Sequence, residues 1–464
     1  MVGIFIMVAF LLELVAMVFG IGTKKDYKLY RAIVYCVCMV IGTLLIFTGC
    51  VEWTFRVKGI YLIMSMQVVW AIYIIIKYKR NKNFEEIHTF RVSKTVMRFV
   101  HRTFIILIAF IPLFIFPSYQ PIEPTGSYEV ATARCTVIDE SREETYAKAG
   151  AKRNVTMDFW YPDVEVGEEN QQFPLVVFSH GAFGIGNSNR STYEELASHG
   201  YVVCSLEHPY HSFVSKQTNG KSVYVNFAFL KEAVNASNGE YSEEENYEIT
   251  QKWLKIRTGD MNLALNTILE GVNQINAKTM KGEQYKEASS SDSKSTTEQM
   301  QNVYSLIDKN KIGVFGHSLG GATAAAIGRE RKDIDAVIVI DGTMFGEVIG
   351  VVEGKEQLNQ TPYPVPILNI YNESHYTEAL TVKDTYANMV ATDYAKDARY
   401  TVIKDSEHMN FTDLPLFSPF LAKQLGTGKI DVRHCTMKMN EIVLTYFDYY
   451  LKGEGNCEIA SQYE

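Results

Sequence analysis

The sequence has little of what staples a small secreted scaffold together. Its 7 cysteines are scattered through 464 residues, too few for a disulfide framework, and no pair has metal-ligand spacing. Cys36 and Cys38 fall in an apolar run and are expected as lipid-facing or packing residues. A surplus of basic charge is missing as well: 45 Lys+Arg stand against 53 Asp+Glu, a formal net charge of -8. Proline is sparse, 12 in all, and three of the twelve crowd together at Pro117, Pro121 and Pro124. No internal repeat is visible.

The charge that is present is unevenly placed. Residues 1–118 carry 14 Lys+Arg and 5 Asp+Glu, a net of +9, which leaves 31 basic and 48 acidic residues, a net of -17, in the remainder. That split excludes one uniform soluble globule. It also argues against nucleic acid as a partner, because phosphates would repel the larger, acidic part. At roughly 150 residues per domain the length allows two or three domains.

Four apolar stretches lie in the basic quarter, near 2–21, 32–50, 60–76 and 104–116, the last extended by its flanks. A helix needs about 20 apolar residues to cross hydrocarbon. The reading is an all-α transmembrane domain of four helices over 1–117. The first stretch lacks the basic start and small-residue cleavage site of a secretory signal. Basic loops stay in the cytoplasm. One such loop holds Lys24, Lys25, Lys28 and Arg31, another Lys77, Lys79, Arg80 and Lys82, running on to Arg102. Four spans then put the larger domain on the extracytoplasmic side of a cell membrane. Glu13, mid-span, is expected to be protonated or paired with a neighbouring helix, since a lone charge there is costly.

The prolines mark a tether over 118–132, and the domain over 133–464 is long enough for one large core. There, short β-branched runs alternate with helical periodicity, which predicts a mostly parallel sheet covered by helices. Strands are expected at 155–161, 175–179, 202–206, 311–315, 336–340, 366–371 and 400–404. Helices are expected at 192–198, 260–274, 319–329 and 440–451. Two segments stand apart: 212–255, aromatic then acidic, reads as a cover over the site, and 278–301 as a polar surface loop.

The sharpest signal is Gly316-His317-Ser318-Leu319-Gly320-Gly321, directly after an apolar strand and directly before an Ala-rich helix. A serine at such a tight strand-to-helix turn needs small neighbours, and it presents its hydroxyl above a helix N-terminus. Ser318 is therefore the candidate nucleophile. A serine hydroxyl needs a base, and the base needs a carboxylate to orient it. In folds with this turn the chain order is Ser, acid, His. His408, just past a late strand, is the expected base, ahead of His375 and His434. Asp341, which ends the strand at 336–340, is the expected acid, with Glu373 as the alternative. Two backbone N–H groups should receive the oxyanion. Those of Leu319 and of Ala182, in the loop His180-Gly181-Ala182-Phe183-Gly184, are the candidates.

Taken together, Phe178-Ser179-His180-Gly181, Glu207-His208-Pro209, the glycine-flanked Ser318, Asp341-Gly342-Thr343 and Ser406-Glu407-His408 resemble one family. It is the platelet-activating-factor acetylhydrolase and dienelactone-hydrolase-like branch of the α/β-hydrolases, over roughly 153–450. The resemblance implies an α/β-hydrolase fold and ester hydrolysis. It also implies an acid after the sixth strand, which favours Asp341. Dienelactone hydrolases proper use a cysteine nucleophile, so Ser318 points to the lipase side. No metal or organic cofactor is implied. The expected partners are an ester, lipid-like in view of the spans, and the bilayer itself. A serine peptidase, a transacylase and a non-catalytic binding module stay open as alternatives.

Overall fold

The computed structural model describes residues 2–80, 90–164, 171–280 and 296–464. It divides into two compact units, one of residues 1–119 with 417–421 and one of 120–416 with 422–464.

The first unit contains four helices: α1 (Val2–Thr23), α2 (Lys28–Phe47), α3 (Phe55–Arg80) and α4 (Val92–Ile115). α2, α3 and α4 are long and apolar enough to cross a membrane by length and composition; in α1 the apolar stretch Met7–Thr23 is shorter. Small and apolar side chains such as Ala32, Ala71 and Ile74 are buried between helices, while Val40, Leu62, Val69 and Phe104 face outward. Such an outward apolar surface suits a hydrocarbon solvent better than water. α4 begins at Val92, well before the stretch at 104, so Lys94, Arg98 and Arg102 of the basic loop are helical.

The second unit is built on a nine-stranded sheet. Its strands are β1 (Val130–Glu143), β2 (Lys152–Pro162), β3 (Phe173–Ser179), β4 (Val202–Glu207), β5 (Ile307–His317), β6 (Ala336–Ile340), β7 (Ile367–Asn372), β8 (Ala398–Ile403) and β9 (Gln462–Tyr463). Their order is β1-β2-β4-β3-β5-β6-β7-β8-β9. β1–β2 and β2–β4 are antiparallel, and from β4 onward every pair is parallel. β3, β4, β6 and β7 are buried along their whole length. That is why they read as continuous apolar runs rather than as alternation: helices cover both faces of a parallel sheet. Met261, Leu265 and Ile268 pack on one face, Tyr193, Met439 and Val443 on the other.

Several expectations shift. β1 starts at Val130, inside the stretch read as a tether, and is held by antiparallel pairing to β2. The helix expected at 260–274 spans Glu243–Met280, so the acidic end of the supposed cover is its first turn, where Glu243, Glu244 and Glu245 suit the helix dipole. The rest of the cover is a hairpin, Val214–Lys216 with Ser222–Tyr224, and a helix, Phe227–Ser237. Of the polar loop, 281–295 lie outside the described residues and Thr296–Ser305 is a helix. All seven cysteines are free, Cys435 and Cys457 included.

Candidate active site

Parallel strands bring their C-terminal ends to one edge, and the chemistry gathers there. β5 runs into the helix Leu319–Glu330 with a single residue between them, Ser318, at φ 56 and ψ -124. The left-handed backbone is costly for a residue with a Cβ. The glycines around it permit the turn by close approach. A Cβ on Gly320 would meet Ser179 O at 1.8 Å, and one on Gly316 would meet Gly320 O at 2.2 Å.

β6 pairs in parallel with β5, His317 opposite Ile340, so the residue after β6, Asp341, emerges beside Ser318. Asp341 is buried, with φ 49. Its carboxylate accepts four hydrogen bonds: His408 Nδ1 at 2.6 Å, His375 Nδ1 at 2.8 Å, Asn372 Nδ2 at 2.6 Å and Asn372 N at 3.0 Å. Burial pushes the carboxyl up, but the hydrogen bonds from His375 and His408 outweigh it and hold Asp341 well below the usual carboxylate range. Asp341 is therefore a fixed anion. A proton on His408 Nδ1 leaves Nε2 as a bare acceptor.

His408 opens the short turn His408–Phe411 after β8. Its carbonyl accepts from His317 Nε2 at 3.1 Å, and the two rings lie 4.4 Å apart. His317 is pushed down to about 3 by burial, then by His408, so it stays neutral as that donor. Among the described residues no hydrogen bond runs from Ser318 Oγ to His408; in ligand-free enzymes such bonds are often long and tighten on binding. Glu373, the alternative acid, accepts instead from Asp405 N at 2.9 Å. His434 lies on the helix Val432–Phe447 and bonds Glu464 O.

Sequence reasoning missed His375. Ranked behind His408 only as a base, it belongs to the helix Glu373–Thr381, and its Nε2 accepts from Tyr386 OH at 2.5 Å. A usable signal was present: Asn372 ends β7, the strand beside β6, and His375 follows it on the same sheet edge.

The loop after β3 faces the serine turn. A Cβ on Gly181 would sit 3.0 Å from His317 Nδ1 and 3.2 Å from Ser318 Cβ. The buried Arg257, on the helix Glu243–Met280, donates to His180 O at 2.7 Å and Gly181 O at 3.2 Å. His180 Nδ1 also donates to Gly181 O, at 2.7 Å. In a trans peptide C=O and N–H point oppositely. Anchoring Gly181 O therefore aims Ala182 N–H away from Arg257. Beside Ala182 and Leu319 lies an apolar wall of Phe183, Phe229 and Trp253.

Behind this loop sits a second Ser–His–Asp chain. Ser179 Oγ lies 2.9 Å from His208 Nε2, and His208 Nδ1 2.9 Å from Asp260 Oδ2. All three residues have zero exposure. Arg153 clamps Asp260 with two bonds of 2.6 and 2.7 Å. No metal-binding group of three or more His, Cys, Asp or Glu occurs among the described residues.

Residues 159–459 match the model described as platelet-activating factor acetylhydrolase, isoform II. The chain belongs to that family. Among its members, the platelet-activating factor acetylhydrolase of Cavia porcellus is 24% identical over 305 residues, 63% of this chain and 60% of that protein. That of Gallus gallus is 24% identical over 295 residues, 61% of this chain and 63% of that protein. The chain thus spans less than two thirds of the length of these acetylhydrolases. A solved ferulic acid esterase from Streptomyces cinnamoneus aligns with TM-score 0.52 and 18% identity, over 74% of this chain and 97% of that one. That likeness is one of fold, an α/β-hydrolase.

Proposed function

We propose that the protein is a membrane-anchored serine hydrolase that cleaves carboxylic esters of lipid-like substrates, short-chain or oxidised phospholipid esters among them. The observation that carries the reading is the 2.6 Å bond from His408 to the buried Asp341 beside the strained turn at Ser318. In this mechanism Ser318 attacks the ester carbonyl while His408 Nε2 takes its proton, and Asp341 fixes the tautomer and balances the imidazolium. The N–H groups of Leu319 and Ala182 receive the oxyanion. His408 returns the proton to the leaving alcohol, then activates the water that releases the acid. The apolar wall of Phe183, Phe229 and Trp253 favours an apolar acyl group. The family membership supports ester bonds over peptide bonds. The apolar helices support membrane spans within 1–117; in this reading there are four, and basic loops held in the cytoplasm put the hydrolase over 133–464 on the extracytoplasmic side.

The purified chain should react with a fluorophosphonate and turn over p-nitrophenyl and short-chain phospholipid esters. Ser318→Ala should abolish labelling and cut turnover by on the order of 10⁴-fold or more. Ester turnover that survives in Ser318→Ala would remove the mechanism, and turnover of peptides alone would move the reading to a peptidase. Protease protection of the hydrolase unit in sealed, right-side-out cells would reverse the sidedness.

A further inference from the structure

The helical unit holds a second concentration of polar chemistry, remote in kind from ester cleavage. Between α1, α2, α3 and α4 lies a cavity of about 60 Å³, several times the roughly 15 Å³ that one water requires. Leu12, Ile63 and Ile106 line it, and so do Glu13, Arg31 and Arg102. Glu13 Oε1 accepts from Arg102 Nη1 at 2.8 Å and from the Tyr35 hydroxyl, while Arg31 Nε stands 3.6 Å from Glu13 Oε2.

Two guanidiniums therefore share one carboxylate. Asp26 is itself shared among Arg31, Arg98 and Lys28. Arg31 is 3% exposed, and its Nε and Glu13 Oε2 face each other 3.6 Å apart without closing to a hydrogen bond; neither atom has a hydrogen-bond partner among the described residues. A pair that merely joined helices would close on itself in apolar surroundings, leaving neither a gap between its atoms nor a void. Two guanidiniums on one carboxylate, one of them short of hydrogen-bond reach, beside a void with apolar walls are what an acidic head on a hydrocarbon chain requires.

We propose that this cavity binds the head of an anionic amphiphile, a carboxylate or a phosphate, with its acyl chain lying along the apolar helices. The site is independent of turnover at Ser318.

The test uses the full chain carrying Ser318→Ala in phosphatidylcholine nanodiscs, so that no ligand is consumed. Radiolabelled oleate, oleoyl lysophosphatidate and oleyl alcohol are titrated in parallel. Saturable binding of one or both acids, with oleyl alcohol at least ten-fold weaker, is expected; which acid binds identifies the head. Arg102→Gln should weaken acid binding ten-fold or more, the loss of one charged hydrogen bond. Glu13→Gln should strengthen it, because the internal carboxylate no longer competes. In the parent chain a photoactivatable fatty acid should crosslink to α1–α4 near Glu13. Equal binding of the alcohol, insensitivity to both substitutions, or crosslinks confined to the hydrolase unit would each overturn the proposal.

Discussion

Ser318 holds a backbone conformation that a side chain resists, φ 56 and ψ -124, and that strain costs on the order of 1–3 kcal/mol. Replacement by glycine should relieve part of it. Ser318→Gly is expected to unfold at a higher denaturant midpoint than wild type while losing esterase activity; a lower midpoint would show that the turn is unstrained. Asp341 makes a different demand. Its four donors leave no place for an amide, so Asp341→Asn should set an NH₂ against one imidazole N–H and one Asn372 donor whichever way it turns. Turnover should fall on the order of 10⁴-fold, measured beside retained folding by circular dichroism. His375 donates to the same carboxylate, but to Oδ1 rather than to the Oδ2 that holds His408. His375→Ala should therefore cost far less than His408→Ala in the same assay, and equal losses would make His375 the base.

At the scale of elements, the loop after β3 depends on a helix far along the chain. Arg257 grips two consecutive carbonyls with one guanidinium. Arg257→Lys, with a point charge in place of a planar fork, should lower kcat about 100-fold with KM changed little, as for loss of an oxyanion donor. A rise in KM at unchanged kcat would place Arg257 in substrate binding instead. This dependence was not legible in the sequence. The strands were, because burial on both faces writes itself as runs such as Leu175–Val177 and Ala336–Ile340. The serine turn was legible too, since its glycines are forced by contacts under 2.5 Å. Arg257, Asp260 and His208 left no such mark: they lie 58 or more residues from Ser318, and only the tertiary packing brings them together. The same reason hid His375, whose partner Asp341 is 34 positions away, and the start of the long helix, whose acidic first turn resembles a solvated loop.

Across the whole molecule, acid should be destabilising. Burial first, and neighbouring cations next, push His180, His208 and His211 down; burial and His408 do so for His317. His208 and His317 reach about 3, against 6.5 for an ordinary histidine. Between those values the unfolded chain binds the extra protons. Stability is thus fully present above about 6.5 and declines below it, by about 1.4 kcal/mol per pH unit per histidine. Burial raises Glu207 to about 7 and Asp413 to about 6 and also lifts Asp335 and Glu356, which works in the opposite sense as pH falls, but the four buried histidines outweigh them. The thermal midpoint should be lower at pH 5 than at pH 7.5; an equal or higher midpoint would mean that the buried histidines are already protonated in the fold.

The sealed twin, Ser179 with His208 and Asp260, bears on how any such enzyme is recognised. A pattern of three atoms would score it alongside Ser318, yet no solvent path reaches its hydroxyl. In the native protein a serine-directed reagent should therefore count one reactive hydroxyl per chain, not two. The order serine, histidine, aspartate is common to both trios; the twin's serine is bonded to its histidine and sealed, whereas Ser318 is half-buried, and that doorway is what turns a structural relay into a workplace.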